Sequence, residues 1–261
     1  MCRPSDAIGV FDSGLGGISV LRQLRTRMPR ERFVYFGDCA NAPYGVRPRQ
    51  EVAELTMRAC RALLNTPVKA LVVACNTATA AAIDSLRQEF PHRIIVGIEP
   101  ALKLAADRHP GGTIAVMATP LTLEQPKFHH LQQHLSGACT VIDLPVAGLV
   151  ELVESGRANS PQAAELLEPL LSPYRGRLDA LVLGCTHYPF AAETISRILG
   201  PSTDLLDGGA GTARETFRRL EAQGLLNKEG DGKVCFRFSG SSRLPYELAD
   251  SLLQADIPAH L

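Results

Sequence analysis

The chain lacks an excess of charge of either sign: lysine plus arginine and aspartate plus glutamate number 27 each in 261 residues. Such a balance gives no global field to draw a nucleic acid or an anionic membrane, so neither is expected as a partner. No apolar run approaches the roughly 20 residues needed to span a bilayer. The opening "MCRPSDAIGVFDSG" passes from charged residues into a short apolar run. With no long hydrophobic region and no small-residue cleavage site, it does not read as a signal peptide. Seven cysteines are present, an odd number with no C-x-x-C pair among them. That pattern disfavours a disulfide framework and a structural zinc site, and it implies a reducing, cytoplasmic setting with no bound metal.

What is there reads as an ordinary soluble globular protein. Apolar residues make up 45% and charged residues 21%, in a chain long enough for one large or two compact domains. Short aliphatic runs alternate with stretches of helical period. The strand candidates are "AIGVFD", "RFVYFG", "ALVVAC", "RIIVGI", "TIAVMA", "CTVIDL", "ALVLGC" and "TDLLD". Between them lie helical stretches such as "GISVLRQLRTRM", "RQEVAELTMRACRALL" and "SPQAAELLEPLL". In the last, Ser160 as N-cap followed by Pro161 marks a helix start. Strands apolar throughout and separated by helices indicate parallel sheets covered on both faces, so the expected class is α/β.

The order of units repeats. "IGVFDS" resembles "IAVMAT", pairing Ile8 with Ile114, Val10 with Val116 and Ser13 with Thr119. "KALVVACNTATAAAI" aligns without a gap on "DALVLGCTHYPFAAETI", bringing Cys75 onto Cys185. Offsets of about 106 to 110 residues suit two similar half-size α/β domains rather than a solenoid. The expected division is 1–98 plus 208–261 for the first domain and 99–207 for the second. The tail carries "KVCFRFSG" as an edge strand and "LPYELADSLLQ" as a final amphipathic helix.

Ligands of open parallel sheets bind beyond the carboxyl ends of the strands. Cys75 and Cys185 both end an apolar run ahead of an expected helix, where backbone N–H groups and the positive helix end would lower a thiol pKa. A lone cysteine there reads as a small core residue, as Cys2, Cys60, Cys139 and Cys235 do. The pairing in matching places of two similar halves sets Cys75 and Cys185 apart. Facing halves would bring the two sulfurs to opposite sides of one cleft. Inverting a stereocentre by proton transfer needs a base on one face and an acid on the other, and a thiolate with a thiol can exchange those roles.

"VFDSGLGG", "FGDCANAPYG", "ACNTATA", "GIEPA" and "LGCTHYPF" follow one another in the order and spacing of bacterial glutamate racemases, which the chain resembles up to about residue 215. The resemblance implies a cofactor-independent amino-acid racemase that supplies D-glutamate for peptidoglycan. It implies Cys75 and Cys185 as the acid/base pair, the first acting on the D- and the second on the L-enantiomer. It also implies a pocket lined by Asp12, Ser13, Tyr44, Gly45, Asn76, Thr77, Thr186 and His187; dimerisation is common in that family and a homodimer is possible here, but the sequence carries no interface signal. His187 is implied to assist Cys185 with a nearby acid, best matched by Glu154, with Glu151 as competitor.

The chemistry supports this site. With no pyridoxal ring as electron sink, a carbanion-like state must be stabilised by dipoles aimed at the α-carboxylate. Asn76, Thr77 and Thr186 are suitable donors, and Thr119, the counterpart of Ser13, is a further one. Asp12 has an ammonium contact or thiol activation as its expected role, although Asp-Ser-Gly is also a common turn. The loop "DSGLGG" fits neither the P-loop nor the full dinucleotide pattern, and its glycines are read as allowing a tight turn and close substrate approach. His130 and His134 in "FHHLQQH" have metal-compatible spacing but no carboxylate or cysteine beside them, so they read as a solvated helix face. Cys39 stands where the family more often has threonine or serine and is a candidate third reactive thiol near the pocket. The alternatives are an aspartate or broad-specificity racemase, a non-catalytic protein binding an acidic metabolite, and a thiol-redox role, which the absent C-x-x-C disfavours.

Overall fold

The aliphatic runs form strands because helices cover both of their faces. A computed structural model describes residues 2–255, 257–258 and 261. Its strands are β1 (Ala7–Asp12), β2 (Phe33–Gly37), β3 (Val68–Val73), β4 (Ile94–Gly97), β5 (Thr113–Ala118), β6 (Thr140–Pro145), β7 (Ala180–Leu183), β8 (Asp204–Asp207) and β9 (Val234–Phe238). They build two sheets, in the orders β4-β3-β1-β2-β9 and β6-β5-β7-β8. Every pairing is parallel, as expected of the α/β class. Within the first sheet the run β2-β1-β3-β4 repeats as β6-β5-β7-β8 in the second. In both, the winding reverses between the first and third strands of the set, which leaves a crevice at their carboxyl ends.

The first lobe carries α1 (Ile18–Arg27), α2 (Arg49–Leu64) and α3 (Asn76–Glu89). The second carries α4 (Leu102–Arg108), α5 (Pro120–Leu123), α6 (Pro126–Leu135), α7 (Leu149–Glu154), α8 (Pro161–Leu171) and α9 (Ala192–Leu199). Alternate strand residues divide between the two covering layers, as the period of two requires. Ile8, Val10, Ala70 and Val72 share a core with Ile18, Leu21 and Leu24 of α1. Phe11, Leu71 and Val73 share another with Val52, Leu55 and Leu86 of α2 and α3. In the second lobe Met117, Leu181 and Leu183 pack on Leu167, Leu171 and Ile195, while Ile114, Val116 and Val182 pack on Leu102 and Ala105. Ser160 caps α8, its hydroxyl accepting the Ala163 N–H at 3.3 Å.

Beyond β8 the chain runs into α10 (Gly209–Ala222), β9 and α11 (Leu244–Gln254). Strand β9 pairs with β2, and Ala213, Leu220, Ala249 and Leu252 join the core beneath α1. A buried ion pair fastens this return: Lys69 of β3 lies 2.5 Å from Glu31 and also donates to the carbonyls of Pro4 and Leu225, at 2.6 and 2.9 Å. The other Glu31 oxygen accepts the Asn227 N–H at 2.8 Å. Among the described residues no helix is long and apolar enough to cross a membrane.

Candidate active site

Four strand ends converge on one cavity. Ser13 follows β1, Cys75 follows β3, Thr119 follows β5 and Cys185 follows β7, and all four line the same space. Tyr44, Gly45, Asn76, Thr77, Glu154, Thr186 and His187 complete most of the wall. One sulfur thus comes from each lobe. The cavity is about 20 Å³, room for little more than a water molecule.

Cys75 is the N-cap of α3; its sulfur accepts the Ala78 N–H at 3.4 Å and lies 3.5 Å from the Ser13 hydroxyl. Those contacts favour a thiolate, yet the expected lowering of its pKa does not occur. Burial, reinforced by the nearby Asp12 charge, pushes Cys75 up to about 12. With only 6% of the residue exposed, lost hydration outweighs one hydroxyl and one helix end. Cys185 departs from expectation differently. No α-helix begins beside it; a short 3₁₀ turn, Tyr188–Ala191, intervenes before α9.

The partner of Cys185 is instead His187, whose Nδ1 lies 3.7 Å from the sulfur while its Nε2 lies 2.9 Å from Glu154 Oε1. Glu154 also accepts the Leu15 N–H at 3.1 Å. Burial favours a neutral imidazole, but Cys185 and Glu154 together outweigh it and hold the His187 pKa well above its ordinary value. Burial likewise opposes the Glu154 charge; the bond to His187 and its charge, with the Leu15 N–H, reverse that and keep this carboxyl below its usual range. The geometry therefore brings Glu154 to His187 and leaves Glu151 exposed on α7. The "DSGLGG" glycines make the closeness possible. A Cβ at Gly14 would overlap the Glu154 carboxylate, and one at Gly16 the His187 ring. The close approach seen here is by these two side chains.

Asp12 does not line the cavity, contrary to expectation. It is fully buried behind the cavity wall, accepting the Gly14 N–H at 2.9 Å and the Thr186 hydroxyl of the other lobe at 3.1 Å. Burial raises its pKa, with the His187 charge opposing. Cys39 lies outside the cavity too, and burial together with the Glu154, Asp12 and Asp38 charges pushes it up to about 12, which disfavours a third reactive thiol. Cys235, read as a core residue, faces solvent on edge strand β9. Cys60 and Cys139 are buried as expected.

Asn76 is only 6% exposed, and both polar atoms of its carboxamide are buried without a hydrogen-bond partner. Thr77, Thr119 and Thr122 form a triangle of hydroxyls across the lobes, with separations of 3.0 to 3.3 Å. Sequence reasoning missed Thr122 and the wall residues Ala42, Pro43 and Val150; the i,i+3 spacing of Thr119 and Thr122 was the available signal for the first. His130 and His134 sit on the exposed face of α6, and among the described residues no group of at least 3 potential ligands is placed to hold a metal ion.

A family model described as Asp/Glu/Hydantoin racemase matches residues 18–216. The chain is 42% identical to a glutamate racemase of Clostridium botulinum (strain Alaska E43 / Type E3) over 257 residues, which is 98% of this chain and 100% of that protein. The crystal structure of a Thermus thermophilus glutamate racemase in complex with beta-chloro-D-alanine matches with a TM-score of 0.80 at 37% identity, covering 98% of this chain and 96% of that one. The structure of a glutamate racemase from Francisella tularensis subsp. tularensis SCHU S4 in complex with D-glutamate matches with a TM-score of 0.84 at 26% identity, covering 97% and 95%.

Proposed function

Because the chain belongs to the Asp/Glu/hydantoin racemase family, we propose that it is a glutamate racemase, moving the α-proton of glutamate between two cysteines. The observation that carries this reading is that Cys75 and Cys185, one from each lobe, line one cavity. From L-glutamate, Cys185 as thiolate takes the α-proton while Cys75 as thiol delivers its own proton to the opposite face. The reverse turnover exchanges the two roles, and no electron leaves or enters, so the proton balance closes on the two sulfurs. Burial that keeps Cys75 protonated suits its part as the acid in the first direction. Protonated His187, backed by Glu154, stands beside the sulfur that then carries the charge.

The α-carboxylate is the group through which the carbanion is stabilised. Asn76 brings an unsatisfied buried carboxamide, and Thr77 and the amino end of α3 add donors beside it. Thr186 and Ser13 contribute from the two strand ends, and Asp12 acts from behind by holding Thr186 in place. In this role the product D-glutamate supplies peptidoglycan synthesis in the cytoplasm.

Incubation with L-glutamate in heavy water is expected to place deuterium on the α-carbon while optical rotation decays. Cys75→Ser and Cys185→Ser should each lower kcat by at least about a hundredfold, the scale of a lost general acid or base. Undiminished racemisation in either variant refutes the two-sulfur mechanism. Faster inversion of aspartate than of glutamate reassigns the substrate.

A further inference from the structure

Asp38, just beyond β2 and 5% exposed, is a convergence point for three side chains. The Tyr44 hydroxyl donates to its Oδ2 at 2.7 Å, the Ser239 hydroxyl donates to its Oδ1 at 2.7 Å, and Asn41 Nδ2 lies 3.0 Å from both oxygens. Tyr44 walls the cavity. Ser239 directly follows β9 in the tail, 201 positions from Asp38 along the chain. Ser239 is itself fixed, its N–H donating to the Gly37 carbonyl at 3.0 Å and its oxygen accepting the Ala40 N–H at 2.9 Å.

The segment that Asp38 holds is braced on its other side by the second lobe. A Cβ on Gly45 would lie 2.8 Å from Thr119 Cγ2, so the backbone there rests directly on Thr119. An unbroken line of contacts therefore runs from the tail strand through Ser239, Asp38 and Tyr44–Gly45 to Thr119. The Tyr44 proton is committed to Asp38, so the segment gives the cavity its ring and backbone rather than a hydroxyl donor. Hydrogen bonds to a carboxylate are the stronger kind, and three donor side chains on one buried carboxylate make a rigid mount.

We propose that Asp38 is a positioning residue for substrate and that Ser239 makes the tail strand part of the same device, the two together holding Tyr44–Gly45 against the bound amino acid. The inference rests on the racemase reading above. Neither residue touches the reacting atoms, so the expected signature is a split between KM and kcat.

The test compares the full-length chain with Ser239→Ala, Ser239→Thr and Asp38→Asn, by racemisation kinetics and by amide hydrogen exchange without substrate. Ser239→Ala is expected to raise KM for L-glutamate about three- to tenfold with kcat changed less than about twofold, the scale of one lost hydrogen bond. Ser239→Thr should restore the original KM, and Asp38→Asn should raise it further. Exchange should quicken over residues 39–47 in the Ala and Asn variants while β1 and β3 stay protected. An unchanged KM in Ser239→Ala overturns the proposal, as does faster exchange spread evenly over the first sheet, which would mark a purely structural role. Should the unaltered chain not racemise glutamate, the racemase reading fails, and the exchange measurement still decides whether Asp38 and Ser239 hold the segment. If Asp38→Asn fails to fold, the two Ser239 variants decide alone.

Discussion

The sulfur of Cys75 meets a hydroxyl and one backbone N–H, whereas that of Cys185 meets an imidazole backed by a carboxylate. Thiolate, not thiol, is the nucleophile towards alkylating reagents, and burial that pushes Cys75 up to about 12 leaves it almost wholly protonated near neutral pH. Iodoacetamide without substrate should therefore modify exposed Cys235 and partly exposed Cys185 well before Cys75, as read by peptide mass spectrometry. Equal rates at Cys75 and Cys185 would contradict the described burial. Asp207 gives a second test at this scale. It ends β8, accepts the Gly209 N–H at 3.0 Å, and is pushed by burial from 3.8 to about 6. The folded chain thus holds this proton more tightly than the unfolded one. The resulting stabilisation is fully present below about pH 4 and is lost as pH rises through about 6. Asp207→Asn, which keeps an acceptor for Gly209, should stabilise the protein at neutral pH and do so much less near pH 4 in denaturant titrations. The same gain at both pH values would rule out this linkage.

At the scale of elements, β3 carries one half of a buried ion pair. Lys69 and Glu31 are essentially without solvent, with side-chain exposures of 0% and 2%, and hold the tail return through Leu225 and Asn227. Lys69→Met would strand the Glu31 charge and is expected to cost about 3–5 kcal/mol in urea unfolding, with much of the loss recovered in Lys69→Met/Glu31→Leu. If the double variant were no more stable than the single one, an uncompensated charge would not be the cause. The strands were legible because runs such as "ALVVAC" and "TIAVMA" are apolar on both faces, and a doubly covered parallel strand leaves that mark. The two cysteines were legible because the duplicated winding repeats their context. Other features are invisible along the chain. Pro189 in "HYPFAA" sits within a 3₁₀ turn where the sequence suggested a helix start at Cys185. The altered Cys75 pKa depends on what buries the sulfur, and Ser239 meets Asp38 only because β9 crosses back to lie beside β2.

For the molecule as a whole, the small volume of the cavity bears on turnover. The free space between the sulfurs is small, so the rim around Tyr44 and Gly45 is expected to shift when glutamate enters. The chain has no tryptophan, and Val46, beside Gly45 on the cavity rim, is 75% exposed. Val46→Trp therefore provides a single fluorophore, whose emission should shift when D-glutamate binds; an emission indifferent to saturating ligand would show that this rim does not move. The repeated winding of the two sheets has one last consequence. It sets the cavity between near-symmetric halves whose sulfurs keep dissimilar company. Mirror-image amino acids have identical free energies, so a racemate is the endpoint whatever surrounds each sulfur. The Haldane relation then demands equal specificity constants in the two directions. Any advantage in turnover number conferred by His187 and Glu154 on one enantiomer must reappear, by the same factor, as a larger Michaelis constant for that enantiomer.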